Sequence, residues 1–211
     1  MKKYLIIYIL LLFVLAGCQK ADEIEQLDDT EQETIDYSNL AYASYLDNEN
    51  PLVTITVKDY GVIKIQLFQE VAPITVANFI TYILEGSYTD VIFHRIIEDF
   101  MIQGGIVDNA LDPIIGEFSS NGIQNDLSHT RGVISMARTS VKNSATSQFF
   151  IVHKDSTYLD GNYAAFGGMV LGFDVLDMIA AVDTGYQDVP NQDVIIESIT
   201  VELNGYTNNN Q

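Results

Sequence analysis

Phe93-His94-Arg95-Ile96-Ile97-Glu98-Asp99-Phe100-Met101-Ile102-Gln103-Gly104-Gly105 is the stretch on which the fold turns. An arginine sits inside a strand-like apolar run, and a second apolar run ends on a glutamine and two glycines. Solubility does not explain a guanidinium among Phe, Ile and Met, because charge is normally kept off apolar faces. Strand alternation predicts Phe93, Arg95 and Ile97 on one face and Ile92, His94 and Ile96 on the other. On that pattern alone Arg95 reads as a surface residue with its stem laid on its neighbours.

Outward from this segment the period-two signal dominates. Val53, Ile55 and Val57 alternate with Thr54, Thr56 and Lys58, Tyr60-Gly61 marks a turn, and Val62–Phe68 forms the second half of a hairpin. Val76, Phe79, Ile80, Ile83 and Leu84 then recur at helical spacing, with Pro73 at the start and Gly86 just past the end. Strand-like runs return at Val91–Ile97, Met101–Gln103, Val133–Met136, Gln148–Val152, Ala165–Val170 and Val194–Leu203, and a second helix fits Asp174–Val182. Many short strands with two helices predict a closed or sandwiched antiparallel sheet, and composition does not choose between them. No internal repeat or second-domain boundary is visible.

The N-terminus has a different character. Lys2 and Lys3 precede an apolar run from Tyr4 to Ala16, followed by Gly17 and Cys18. At about 1.5 Å per residue this run is well short of a hydrocarbon core of about 30 Å, so it reads as an export signal, residues 1–17, and not a membrane span. Leu15-Ala16-Gly17-Cys18 is similar to the bacterial lipobox, which makes Cys18, the chain's single cysteine, the lipidation site and mature first residue. A diacylglyceryl group there implies an extracytoplasmic protein held on a bacterial membrane, since two acyl chains anchor stably where one does not. Residues 18–50 read as a lipidated end and an acidic flexible tether, crowded with Asp22, Glu23, Glu25, Asp28, Asp29, Glu31, Glu33 and Asp36. The net charge of −19, which becomes −21 without the two signal lysines, argues against nucleic acid as a partner.

From Pro51 to Leu203 the order of segments resembles the cyclophilins, the peptidyl-prolyl cis-trans isomerases. The resemblance is carried by the opening run together with His129-Thr130-Arg131-Gly132, Ser135-Met136-Ala137-Arg138-Thr139, Asn143-Ser144-Ala145-Thr146-Ser147-Gln148-Phe149-Phe150-Ile151 and Leu159-Asp160-Gly161. It implies a mainly β domain over 51–205, a closed eight-stranded antiparallel β-barrel capped by two α-helices, followed by a polar tail at 206–211. Residues 108–128 match least and are a candidate for partner specificity.

Rotating an Xaa–Pro bond breaks amide resonance against a barrier of about 18–20 kcal/mol. At the twisted transition state the prolyl nitrogen regains a lone pair, and a fixed donor aimed at it binds that state better than either ground state. Arginine suits the task, being always charged and presenting a rigid fork of donors. By resemblance Arg95 is this donor and Gln103 orients it. Phe100, Met101, Phe150 and Leu159 line the proline pocket, and Ala137, Arg138 and Gln148 hold the preceding residues. Tyr158 and Tyr163 stand where the best-known eukaryotic members carry tryptophan and histidine. The chemistry requires no metal and no cofactor. The implied partners are Xaa–Pro segments of unfolded or exported proteins, met by a monomer; the alternative is a cyclophilin-like peptide-binding or chaperone module with little turnover. His94, His129 and His153 lack the short spacing of a zinc site. His94 is expected to be a hydrogen-bonded structural residue, and His153 to be exposed.

Overall fold

The computed structural model describes residues 36–207. The signal segment, Cys18, the tether up to Ile35 and the tail from 208 lie outside the described residues. Among the described residues there are eight strands: β1 (Leu52–Val57), β2 (Gly61–Leu67), β3 (Val91–Ile97), β4 (Met101–Gly104), β5 (Val133–Met136), β6 (Phe149–Val152), β7 (Ala165–Leu171) and β8 (Ile195–Glu202). They close into a barrel in the order β1-β2-β7-β5-β6-β4-β3-β8 with every neighbouring pair antiparallel. Closure leaves no free sheet edge.

Alternation decides what each strand buries. Val53, Ile55 and Val57 of β1 and Ile63 and Ile65 of β2 point inward and join the main core. Two helices, α1 (Pro73–Leu84) and α2 (Phe173–Ala180), set Val76, Phe79, Ile80 and Ile83, and Val175, Leu176 and Ile179, into that same core. Each such side chain contributes about 1.5–3 kcal/mol when fully buried. Strands β5 and β6 are buried on both faces. Ile134, Phe149 and Ile151 face the main core, whereas Val133, Phe150 and Val152 face a second, smaller cluster with Met101, Leu159 and Ala165. This second cluster floors the site described below.

Helix α1 has Pro73 in its first turn, but Ala72 ahead of it gives no side-chain cap. Glu117 performs that function from a distant loop. Its carboxylate accepts the N–H groups of Ile74 (3.1 Å) and Thr75 (2.7 Å) and the Thr75 hydroxyl (2.6 Å) while itself almost fully buried. The least-matched stretch 108–128 is therefore substantially structural: Asn125 also donates to Glu117 O and Ala165 O, and Phe118 and Leu127 are buried.

The expected flexible tether ends earlier than residue 50. From Asp36 onward the chain belongs to the domain's compact unit. Tyr42 is 1% exposed, its hydroxyl donates to Met169 O at 2.8 Å, and Tyr45 stacks on Phe68 with ring centres 5.5 Å apart. The Tyr42 ring occupies space left by Gly132 and Gly168, where a Cβ would lie 2.6 Å and 2.4 Å from Tyr42 atoms. The physical reason is composition: the dense acidic run ends at Asp36, and Tyr37, Leu40, Tyr42, Tyr45 and Leu46 supply apolar surface worth burying.

Candidate active site

The alternation expected through β3 does not hold. Phe93 pairs with Gly104 and Arg95 with Gln103, so His94 is an extra residue, a β-bulge. Phe93 and Ile96 face the main core; Arg95 turns outward beside Gln103, and Ile97 packs on the second cluster with Met101. A bulge re-aims one side chain while keeping the strand paired on both sides of it.

Arg95, Phe100, Met101, Gln103, Ala137, Arg138, Phe150, Leu159 and Tyr163 surround one pocket of about 160 Å³. Phe100, Met101, Phe150 and Leu159 form apolar walls, and Arg95 and Gln103 stand at their polar edge. Of the residues singled out in the sequence, Gln148 and Tyr158 do not line it. Gln148 stands behind Gln103, whose Nε2 donates to its Oε1 at 3.0 Å. Tyr158 is 68% exposed and packs against the ring of Phe100 outside the pocket, centroids 5.9 Å apart. The N–H of Ala137 is already donated to Gln148 O at 2.9 Å, which leaves its carbonyl to meet a peptide.

Arg138 is held rigidly. Its guanidinium lies 5.0 Å from the Phe118 ring centre and 4.7 Å from that of Tyr163, and donates to Asn162 O and Thr139 O. Behind Phe150 lies a polar chain that sequence reasoning missed. The His129 ring stacks on Phe150 at 6.0 Å, with Nδ1 2.8 Å from Asp160 Oδ1 and Nε2 3.0 Å from Ser135 Oγ. A carboxylate only accepts, so Nδ1 carries the proton and Nε2 accepts from the serine. The order Ser–His–Asp suggests a nucleophilic triad, but Ser135 is 0% exposed and meets no substrate. The chain instead fixes Phe150 from behind. Burial holds the His129 imidazole below its ordinary value, with the Asp160 hydrogen bond and charge opposing only in part.

The pattern that describes the family "Cyclophilin type peptidyl-prolyl cis-trans isomerase/CLD" matches residues 52–201. The chain belongs to the cyclophilin-type peptidyl-prolyl cis-trans isomerases. This cyclophilin is 44% identical over 161 residues to peptidyl-prolyl cis-trans isomerase B of Escherichia coli, covering 68% of this chain and 95% of that protein. It is 41% identical over 155 residues to peptidyl-prolyl cis-trans isomerase A of Dickeya dadantii, covering 67% and 80%. Among solved structures it is similar to a Cryptosporidium parvum cyclophilin crystallised in the presence of the dipeptide Ala-Pro, with a TM-score of 0.61, 29% identity, and coverage of 72% of this chain and 98% of that one. Residues 1–19 match the prokaryotic membrane lipoprotein lipid attachment site, which marks this cyclophilin as a membrane-associated lipoprotein.

Two histidines depart from expectation. His94 is not hydrogen-bonded as expected: its Nδ1 is buried without a partner. His153 is not freely exposed. Its Nδ1 accepts the Asp99 N–H at 3.0 Å and its Nε2 lies 3.0 Å from Asp177 Oδ1, so it ties the β3–β4 turn to α2. Among the described residues no group of three or more His, Cys, Asp or Glu is placed to hold a metal ion.

Proposed function

We propose that this cyclophilin isomerises Xaa–Pro bonds in exported proteins from a position tethered to the membrane by lipidated Cys18, with Arg95 as the donor to the prolyl nitrogen. The observation that carries the reading is the pocket: apolar walls of Phe100, Met101, Phe150 and Leu159 with the Arg95 guanidinium at their edge. The apolar walls favour the uncharged proline ring. The planar Xaa–Pro amide has little basicity at nitrogen, and the twisted amide has much more, so a donor fixed beside the ring favours the twisted state. Gln103, itself held by Gln148, is positioned to hold the peptide's carbonyl or amide while the bond turns. The step moves no proton to the enzyme and forms no covalent intermediate.

Cis–trans exchange in a short Xaa–Pro peptide, followed by NMR, tests this with the wild type beside Arg95→Ala. Fast exchange with the wild type and near-uncatalysed exchange with the variant support it. Uncatalysed exchange with both leaves the peptide-binding module as the reading. For the anchor, a Cys18→Ser protein is expected to leave the membrane fraction.

A further inference from the structure

Arg95 is paired with a residue far away in sequence. Its Nε donates to Asp188 Oδ2 at 3.1 Å, and its Nη2 lies 3.1 Å from the same oxygen. We propose that Asp188 is the positioning residue for Arg95, fixing the plane of the guanidinium so that its remaining donors face the pocket.

Three observations carry this. First, a guanidinium offers five N–H donors, and Asp188 engages one edge, Nε and Nη2. Nη1 has no protein acceptor among the described residues, so the carboxylate orients the group without consuming the donors a peptide needs. Second, the loop that presents Asp188 is built for placement. Gln187 and Asp188 take positive φ of 61° and 63°, a region costly to residues with a Cβ. Gly185 N to Val189 O (2.8 Å), Asn191 N to Asp183 O (2.9 Å) and an isolated bridge between Thr184 and Pro190 close the loop around them. Third, stability does not account for the pair. Arg95 and Asp188 side chains are 39% and 43% exposed, and ion pairs that open to water add little to folding. Gln103 pairs with Arg95 across β3 and β4 but donates its Nε2 to Gln148, and among the described residues Asp188 is the acceptor that sets the guanidinium's rotation.

This inference rests on Arg95 being the donor, and the experiment separates the two claims. Peptide isomerisation is measured for the wild type, Asp188→Ala, Asp188→Asn, Arg95→Ala and the Arg95→Ala/Asp188→Ala double variant, with KM and kcat resolved and melting temperatures recorded. Asp188→Ala is expected to lower kcat roughly tenfold, with KM and melting temperature near wild type, because a misplaced donor affects the transition state more than binding. Asp188→Asn retains an acceptor oxygen at the same place and is expected to recover most of the rate. In the Arg95→Ala background, removing Asp188 is expected to change nothing further. Wild-type kcat for Asp188→Ala, an equal loss for Asn and Ala, or a loss that persists without Arg95 overturns the positioning role. Wild-type activity for Arg95→Ala overturns the donor assignment itself.

Discussion

Phe93 and Arg95 stand two residues apart on one strand and face opposite sides of it. A regular strand would put them on the same face. The bulge at His94 turns Phe93 into the barrel and Arg95 out to the pocket.

The two residues should accordingly fail in opposite ways. Arg95→Ala is expected to lose on the order of a hundredfold or more in kcat/KM, the scale of removing a fixed transition-state donor, at unchanged melting temperature. Phe93→Ala is expected to cost about 3–5 kcal/mol of stability, because the ring is fully buried against Phe149. Denaturant titration beside an exchange assay reads both. A marked loss of stability in Arg95→Ala would mean that the arginine belongs to the core after all.

Much of this was legible in the sequence, and the exceptions have physical causes. All eight strands and both helices sit within a residue or two of where periodicity places them, because one face of each element is strongly apolar. The bulge left no mark, since β3 is apolar on both faces and an inserted residue does not disturb a pattern that hardly alternates. The Arg95–Asp188 pair joins positions separated by 93 residues through a loop whose own composition, Gly-Tyr-Gln-Asp-Val-Pro, says only turn. The strap around Tyr42 was readable: the change from acids to aromatics after Asp36 is plain, but the acidic run ahead of it dominated. Of the pocket, the apolar walls came from the family resemblance, since Phe, Met and Leu at strand spacing otherwise read as core.

Glu117 replaces the missing cap of α1. Glu117→Ala strips acceptors from two backbone N–H groups and a buried hydroxyl, and is expected to cost about 2–3 kcal/mol, the scale of leaving buried donors unsatisfied. Urea titration checks the magnitude. A change of only a few tenths would show that water replaces the carboxylate at the helix end.

Tyr42 fastens the segment ahead of β1 to the barrel. Tyr42→Phe leaves the Met169 carbonyl without its donor and is expected to cost about 1 kcal/mol. Tyr42→Ala also empties the space over Gly132 and Gly168, with an expected cost of about 3–5 kcal/mol. If a protein beginning at residue 51 melts with the full domain, the segment is an ornament and not part of the fold.

His129 gives the domain a pH dependence with a definite sign. Burial holds its pKa below the ordinary 6.5, and His94 is shifted the same way by burial and by the Arg95 charge. Below 6.5 the unfolded chain therefore binds protons that the folded chain does not, so stability is full above that value and falls as the pH drops toward the depressed folded values. Asp160 does not interfere. Burial pushes its carboxyl up, but the hydrogen bonds from Ser128 and His129 outweigh that and hold it below 3.8, so its contribution is lost only in stronger acid. Unfolding free energies compared at about pH 7.5 and about pH 5.5 are expected to show the wild type less stable at the lower value. His129→Asn, weaker throughout for want of the Asp160 and Ser135 bonds, should lose less across the same interval. An equal loss in the variant would place the proton uptake elsewhere, with His94→Asn the next substitution to carry the slope.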